Sequence, residues 1–329
     1  MTTTPLRIAV LSAWHVHAEE YGRAAIDHHD TELVAVWDDD AERGRDLAER
    51  LGVEATTDLD ALLARDDLDG VTVTAATSDH VEVIGKALAA GKHVFTEKLL
   101  APTVEGCDAL IAAARAADVR LVVSLPRLTH GYTLALREIL DAGTLGRITY
   151  SRVRLAHDGS TADWLPTRFY DRSEALGGAF VDLGAHPVYL TQLILGDEVV
   201  SVRPTWTDQT GRGVEDNASV TVATPDGAIG VIETGFVTPA SPFTIEVHGT
   251  DGSLLHGFET DDDGAAVMRL TTREGSSRVD LPAHQPILFA QWADAIRSGA
   301  DLEDNLARAR SLTALVEAAS AVALTAAQA

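Results

Sequence analysis

Apolar and polar positions alternate in short blocks along the first 125 residues, and the blocks predict strands and helices in turn. Runs rich in apolar residues, such as Leu6–Leu11 and Glu32–Trp37, are typical of buried parallel strands. Ala41–Leu51 has helical character and is followed by Gly52, which suits a helix C-terminus. Repeated strand–helix units predict a doubly wound parallel sheet of the dinucleotide-binding type over residues 1–125. Its other predicted strands are Val71–Thr74, His93–Thr96 and Val119–Ser124.

After Pro126 the pattern changes to strand-like runs separated by turn signals, such as Pro225-Asp226-Gly227. One helical insert near Gly178–Leu195 interrupts them, and two helices are predicted between residue 287 and residue 327. We therefore predict a second domain over residues 126–329, of the α+β class, with a large, open, mainly antiparallel sheet. Its predicted strands are Ile148–Ala156, Ser201–Trp206, Ala218–Thr224, Ala228–Phe236, Thr244–Gly249 and Val267–Thr272.

Composition and charge narrow the classes of partner. The 329 residues carry a formal net charge of −24, which argues against nucleic acid or an anionic membrane as the main partner. The single cysteine, Cys107, cannot form an intramolecular disulfide, and no apolar run of about 18 residues predicts a transmembrane helix. The first residues are better interpreted as a strand than as a signal peptide. These features predict a cytoplasmic protein that acts on a small molecule.

The turn after the first strand lacks the glycines of a dinucleotide-binding motif. Its G-x-G-x-x-G positions are occupied by Ser12, Trp14 and His17. Trp14 conflicts with a close approach of the backbone to a pyrophosphate, unless its indole points outward. Asp38 ends the second strand 38 − 17 = 21 residues after His17, where a carboxylate binds ribose hydroxyls and favours NAD over NADP. Alternatively, Asp38 only starts a turn.

His15 and His17 admit three interpretations. Their H-x-H spacing is compatible with metal binding, but no matching cluster of Cys, His or Asp lies nearby in the sequence, so we expect no metal. They could instead donate hydrogen bonds to a phosphate or substrate at the helix N-terminus, which we favour. They could also be structural turn residues.

Two segments resemble one enzyme family. Asp69–Lys98 reads DGVTVTAATSDHVEVIGKALAAGKHVFTEK, and Gly177–His186 reads GGAFVDLGAH. Both resemble the Gfo/Idh/MocA oxidoreductases, the family of glucose–fructose oxidoreductase and inositol dehydrogenase. The resemblance implies a Rossmann domain followed by an open-sheet domain, and NAD(P)-dependent oxidation of an alcohol.

The resemblance implies that Lys98, Asp182 and His186 are catalytic. If their segment is helical, Asp182 and His186 share one face at i and i+4, and the carboxylate can orient the imidazole. Oxidation of an alcohol needs a group that accepts the hydroxyl proton, and either His186 or Lys98 could do so. Lys98 is a plausible base only if burial or nearby charge lowers its pKa, and otherwise it would act as an electrostatic clamp on the oxygen. Each residue taken alone could instead be structural.

The remaining candidate residues fall into two groups. The predicted cofactor-binding residues are Ser12, Ala13, Trp14, His15, Asp38, Ala75, Thr77, His80, Glu97 and Lys98. The predicted substrate-binding residues are Arg127, His157, Trp164, Arg168 and Tyr170. Aromatic residues at such spacing could equally belong to the core, and the arginine at position 168 could be a surface charge.

We therefore predict an NAD-dependent oxidoreductase that acts on a secondary hydroxyl of a sugar, inositol or related polyol. One alternative is a non-catalytic, regulatory protein of the same fold that senses a nucleotide or sugar. Another is metal-dependent or hydrolytic chemistry that uses His15, His17 and Asp182. The open sheet face predicts a homodimer or homotetramer, because an exposed apolar face is a liability unless it is covered.

Overall fold

The computed structural model describes residues 4–327, with side chains on the last helix described up to residue 323. Its strands are β1 (Leu6–Leu11), β2 (Thr31–Trp37), β3 (Glu54–Thr56), β4 (Gly70–Val73), β5 (His93–Thr96), β6 (Leu121–Val123), β7 (Ile148–Ala156), β8 (Ser201–Thr207), β9 (Asn217–Ala223), β10 (Ile229–Gly235), β11 (Thr244–Gly249), β12 (Gly252–Thr260), β13 (Ala266–Thr272) and β14 (Gly275–Arg278). Its helices are α1 (Ala18–Asp27), α2 (Ala41–Leu51), α3 (Leu59–Leu63), α4 (His80–Ala89), α5 (Val104–Ala116), α6 (Gly131–Asp141), α7 (Arg172–Ala175), α8 (Ala185–Leu195), α9 (Leu288–Ser298) and α10 (Glu303–Ala327).

The chain divides into two compact units. Unit 1 contains the residues up to Leu125 together with Pro286–Thr313, and unit 2 contains Pro126–Gln285 together with the residues from Ala314 onward. The predicted second domain covers residues 126–329, whereas the structure assigns α9 and the first part of α10 to unit 1. Among the residues that the structure describes, no helix combines the length and the apolar character needed to cross a membrane.

Unit 1 contains a parallel sheet with the strand order β3-β2-β1-β4-β5-β6. This order confirms the predicted doubly wound sheet, in which the carboxyl ends of the strands share one edge. Alternating strands and helices place apolar side chains such as Ile8, Val10 and Phe95 in one core. The short strand β3, which the sequence pattern did not indicate, pairs with β2 at the edge of the sheet.

Helix α9 and the first part of α10 complete unit 1. Trp292 on α9 is fully buried, with its ring 6.0 Å from that of Phe95 and 5.4 Å from that of Phe289. Asn305 on α10 accepts a hydrogen bond from the backbone N–H of Val123 at 2.8 Å and donates one to its carbonyl at 2.9 Å. The amide side chain therefore satisfies both backbone groups of Val123 in the edge strand β6.

Unit 2 is built on a sheet with the strand order β14-β13-β12-β11-β7-β10-β9-β8. Within this sheet, β7 and β10 are the only described strands that pair in parallel, so the predicted mainly antiparallel sheet is confirmed. The strands β12 and β14 were not predicted. Helix α8 packs against β7 and β10, and a Cβ at Gly230 would lie 2.9 Å from Thr191. Glycine at this position allows the helix to approach the sheet closely.

Candidate active site

The turn between β1 and α1 has the backbone conformation of a glycine turn without containing glycine. Ser12 has a left-handed φ of 73°, which costs about 1–2 kcal/mol for a residue with a side chain. Its hydroxyl offsets this cost by donating to Asp38 Oδ2 at 3.1 Å and accepting from the N–H of Trp14 at 3.1 Å. The serine thus keeps the chain path that a first glycine normally provides.

Trp14 is buried, with only 4% of its surface exposed. Its indole is therefore packed inside the protein and does not project into solvent. The next residue, His15, donates its backbone N–H to the carbonyl of Thr74 at 2.9 Å and so ties the turn to the end of β4. The N–H of His17 donates to Nδ1 of His15 at 3.2 Å. The turn is held by contacts within unit 1.

Asp38 has no exposed surface, and both of its carboxylate oxygens accept hydrogen bonds. Oδ2 accepts from the N–H of Ala13 at 2.6 Å and from Arg43 Nε at 3.0 Å, and Oδ1 accepts from Arg43 Nη2 at 2.6 Å and from the N–H of Asp40 at 2.8 Å. Burial would raise the pKa of Asp38, but these donors outweigh burial and lower it. Asp38 is therefore ionised, and its carboxylate fixes the conformation of the turn. Its contact with ribose hydroxyls remains a prediction.

Glu97, directly after β5, is the centre of a buried charged cluster. Lys98 Nζ lies 3.5 Å from its Oε1, while His17 Nδ1 lies 3.1 Å from its Oε2 and the Tyr21 hydroxyl donates to that same oxygen. Burial would raise the pKa of Glu97, but the positive charges of His15, Lys98 and His17 hold it well below its usual value. Burial would lower the pKa of His17, yet the Glu97 carboxylate raises it. The cluster therefore keeps a carboxylate ionised beside a buried ammonium.

The same cluster bears on metal binding. Ligand atoms of His15, His17 and Glu97 all lie within 4.8 Å of one another. No third ligand lies near the two histidines in the sequence, and the fold supplies Glu97 from 80 residues away. However, Glu97 already faces the ammonium of Lys98, so a divalent cation would be repelled by an adjacent positive charge. The expected absence of a metal remains a prediction.

His80 connects the loops that follow β4 and β5. Its Nδ1 lies 2.6 Å from the carbonyl oxygen of Leu99, and its Nε2 lies 3.2 Å from that of Ala75. Burial lowers the pKa of His80. Thr77 is also buried, in the 3₁₀ turn before α4. In the structure His80 holds the backbone of the predicted cofactor loops, and its direct contact with a cofactor remains a prediction.

Asp182 and His186 do not lie on one continuous helix. Helix α8 begins at Ala185, and the preceding residues form a series of turns in which the N–H of Asp182 donates to the carbonyl of Gly178 at 3.0 Å. The helix predicted near Gly178–Leu195 is confirmed only over Ala185–Leu195. The i, i+4 argument, which needed Asp182 on that helix, is therefore wrong. The reason is local: the two adjacent glycines at 177 and 178 favour turns over helix.

Two residues missed by the sequence analysis support this segment. The hydroxyl of Tyr189, which is fully buried, lies 2.9 Å from Nδ1 of His186 and accepts the N–H of Arg127 at 3.1 Å. Glu215 Oε1 accepts from the N–H groups of Gly178 at 2.8 Å and Phe180 at 3.2 Å. The tyrosine could have been found from its i+3 spacing on the helix, whereas nothing in the local sequence indicates the glutamate.

Gly178 has a steric role in this turn. A Cβ at position 178 would collide with the carbonyl oxygen of Glu215. That oxygen also accepts the N–H of Ala179 at 2.7 Å. The glycine therefore permits the backbone contact that carries the turn before α8.

The predicted substrate residues occupy two places in unit 2. The guanidinium of Arg127 donates to the Tyr132 hydroxyl at 3.1 Å and lies 4.3 Å from the Phe243 ring centroid. The other residues lie between positions 157 and 170, where the rings of His157 and Trp164 are 4.7 Å apart. The exposed fraction of Trp164 is 51%, so the alternative of a core residue is wrong for this tryptophan.

Tyr170 and Arg168 lie further along the same segment. The Tyr170 hydroxyl accepts from Ser160 Oγ at 3.0 Å, and the guanidinium of Arg212 lies 4.5 Å from its ring centroid. The guanidinium of Arg168 lies 6.0 Å from the Phe169 ring centroid. The segment therefore presents an exposed indole together with phenol and guanidinium groups, the kinds of side chain that stack on and hydrogen-bond to sugars.

Comparison with known proteins gives two matches to family models. Residues 6–125 match an oxidoreductase family with an NAD-binding Rossmann fold, and residues 133–255 match the GFO/IDH/MocA C-terminal domain. The 1,5-anhydro-D-fructose reductase of Ensifer adhaerens is 30% identical over 271 residues, which cover 80% of each chain. The dTDP-3,4-didehydro-2,6-dideoxy-alpha-D-glucose 3-reductase of Saccharopolyspora spinosa is 29% identical, covering 97% of this chain and 96% of that protein.

A solved structure shares the same architecture. The 3-ketoreductase KijD10 of Actinomadura kijaniata, crystallised with NADP and TDP-benzene, has a TM-score of 0.81 and 25% sequence identity, with 96% of this chain and 97% of that chain covered.

Proposed function

Since the chain belongs to the GFO/IDH/MocA family of oxidoreductases, we propose that it transfers hydride between NAD and a secondary hydroxyl of a sugar, inositol or related polyol. The observation that carries this proposal is the buried Lys98 ammonium, 3.5 Å from the ionised Glu97 carboxylate at the carboxyl end of β5. That edge is where a parallel sheet of this type binds its ligands.

The residues of unit 1 fit a dinucleotide. The left-handed Ser12 and the anchored Asp38 reproduce the turn conformation and the acidic position of a nucleotide site. The N–H groups of Ala13 and Trp14 donate within the protein, so we propose that the imidazole of His15 adds a phosphate donor. When bound, NAD supplies the hydride acceptor. The proposed cofactor-binding residues remain Ser12, Ala13, Trp14, His15, Asp38, Ala75, Thr77, His80, Glu97 and Lys98.

The neighbouring groups of Lys98 and His186 indicate the catalytic role that we propose for each. A carboxylate beside Lys98 stabilises its ammonium form, so we propose that Lys98 hydrogen-bonds to the substrate oxygen as an electrostatic clamp. The proton acceptor is then His186, whose Nδ1 faces the Tyr189 hydroxyl. Asp182 is proposed as the third catalytic residue. Arg127, His157, Trp164, Arg168 and Tyr170 are proposed to bind the sugar or polyol.

The cellular compartment and the oligomeric state of the protein are also part of the proposal. We propose that the protein acts in the cytoplasm, which its single cysteine favours because no intramolecular disulfide is possible. We also propose a homodimer or homotetramer, which the open sheet of unit 2 favours. The proposed partner is a small polyol or sugar, and neither nucleic acid nor membrane.

The proposed activity is tested by following absorbance of reduced nicotinamide while a panel of sugars and inositols is offered with NAD. We expect saturable binding of NAD and turnover of at least one polyol. Binding without turnover across the panel would instead support the sensor alternative. Failure of both NAD and NADP to bind at about millimolar concentration would overturn the redox assignment.

NAD is expected to bind at least about tenfold more tightly than NADP. Asp38 and Asp39 lie at the end of β2, and the nearby guanidinium of Arg43 pairs with both of them, at 2.6 Å and 2.7 Å. A 2′-phosphate would therefore meet two carboxylates and a cation that is already paired. Asp39→Arg should narrow the affinity ratio, measured by titration calorimetry. Asp46→Arg, the same charge change at an exposed position on α2, should leave the ratio unchanged.

Tyr189→Phe is expected to lower kcat by about tenfold with little change in KM, because one hydrogen bond to His186 is lost. The phenol is proposed as a positioning group that fixes the imidazole tautomer, so the pH profile of kcat should also shift. Tyr150→Phe, on strand β7, is the matched control. If the pH profile of kcat were unchanged in the Tyr189→Phe variant, the hydroxyl would have no role in positioning the His186 imidazole.

A further inference from the structure

His17 occupies the third glycine position of the turn after β1, and its imidazole reaches a carboxylate that a glycine could not contact. Its Nδ1 lies 3.1 Å from Oε2 of Glu97. The side chain of His17 is 36% exposed, whereas that of Glu97 is only 3% exposed. The histidine therefore joins a buried carboxylate to a group that can exchange protons with solvent.

The Glu97 carboxylate is held at both of its oxygens. Oε2 faces Nδ1 of His17 and accepts the hydroxyl of Tyr21, while Oε1 lies 3.5 Å from the ammonium of Lys98. Tyr21 is itself buried, with its ring 5.0 Å from that of Phe95. Groups that are fixed on one oxygen of a carboxylate also fix the direction of its other oxygen. His17 and Tyr21 therefore orient Oε1 toward Lys98.

The titratable neighbours of His17 come from three parts of unit 1. They are Glu97 and Lys98 after β5, Glu20 and Tyr21 on α1, and His15 in the turn, whose ring lies 4.6 Å from that of His17. Burial lowers the pKa of His17, but the Glu97 carboxylate outweighs burial and raises the pKa above its usual value of 6.5, while Lys98 opposes part of this rise. The proton on His17 and the charge on Lys98 are therefore coupled through one carboxylate.

We propose that His17 is a positioning residue for Lys98, and that the two cations share the Glu97 carboxylate until the imidazole loses its proton. The carboxylate is then left to the ammonium alone, and it cancels more of the positive field that Lys98 directs at the substrate oxygen. Loss of the proton should therefore weaken the clamp. The effect on turnover rests on the function proposed above, whereas the coupling between the two side chains does not.

The coupling is tested on the full-length protein with ¹³C at the Cε of its lysines, and with EDTA present to exclude bound cations. The chain has three lysines, so the Lys98 signal is readily assigned by its disappearance in Lys98→Ala. This signal should show a step between about pH 5 and pH 9, at the pKa measured from the His17 imidazole signals. Lys86, in a surface pair with Glu82, and Lys92, bonded to two backbone carbonyls, should show no step.

Substitutions at position 17 assign the step to its source. His17→Gln keeps an N–H donor for Glu97 but cannot become charged, so it should remove the step. His17→Gly, which restores the glycine of the motif, should remove it as well. His29→Gln is the matched control, because His29 is exposed and pairs with Asp30, and it should leave the step unchanged. A Lys98 signal without a step, or a step that persists in both His17 variants, would overturn the proposal.

Turnover with NAD supplies a second measurement. The ratio of kcat/KM between the wild type and His17→Gln should be about tenfold below the pKa of His17 and should approach one above it. A ratio that does not change with pH would indicate a purely structural histidine and would overturn its control of the clamp. The lysine step without turnover of any polyol would reject the proposed reaction and support the coupling, whereas turnover without the step would support the reaction and reject the coupling.

Discussion

Lys98→Ala is expected to lower kcat/KM by about a thousandfold while NAD binding changes only a few-fold. The magnitude is that of a positioned group that stabilises developing charge in a water-poor site. Lys98 suits this role because it is buried and its Nζ lies 3.5 Å from Glu97 Oε1. Steady-state kinetics on the best substrate of the polyol panel, together with NAD titration, measure the two quantities separately.

Lys86→Ala is the matched control for this substitution. Lys86 lies on α4 and pairs with Glu82 at 3.3 Å on the surface, so its removal deletes the same charge without touching the cluster. Wild-type kinetics are expected for it. If Lys98→Ala retained turnover within about tenfold of the wild type, the proposed clamp would be rejected.

Glu97→Ala is expected to lower the free energy of unfolding of unit 1 by about 3–5 kcal/mol, because it leaves the buried Lys98 ammonium without its carboxylate. The partly exposed His17 loses the same partner. Urea unfolding measures this loss. Glu82→Ala removes a carboxylate from an exposed ion pair and should cost less than about 1 kcal/mol. Equal losses in the two variants would mean that the buried cluster is not a stabilising network.

The stability deficit of Glu97→Ala should depend on pH with a defined sign. The pKa of Glu97 in the folded protein is well below its usual value of 4.5. A depressed folded pKa gives stability that is present above the unfolded pKa and is lost as pH falls toward the folded pKa. The difference between wild type and variant should therefore be full at neutral pH and shrink below pH 4.5.

The sequence was sufficient for elements whose signal is local. Leu6–Leu11 and Ala41–Leu51 match the structure at both ends, because an apolar strand and a capped helix are encoded by neighbouring residues. The short strands β3 and β14 lack apolar alternation and form only by pairing with the neighbouring strands β2 and β13. Their prediction required knowledge of the partner.

The site was predicted unevenly for the same reason. The acidic residue at position 38 follows from its place after β2, but its bonds to Ser12 and Ala13 depend on a turn whose left-handed residue is not glycine. The link between Tyr21 and Glu97 spans 76 positions, and no spacing rule indicates it. Long-range pairing of this kind becomes visible only once the chain is folded.

The assignment of Pro286–Thr313 to unit 1 has a consequence for biosynthesis. During translation the amino-terminal strands leave the ribosome long before α9 and the start of α10, which supply Trp292 and Asn305. Until then the nascent sheet exposes Phe95 and the unsatisfied backbone of Val123, an apolar patch and an edge that favour aggregation. Synthesis of unit 1 therefore begins first, yet its core stays incomplete until residue 313 has been made. Chaperone protection of the emerging chain would matter most before that point.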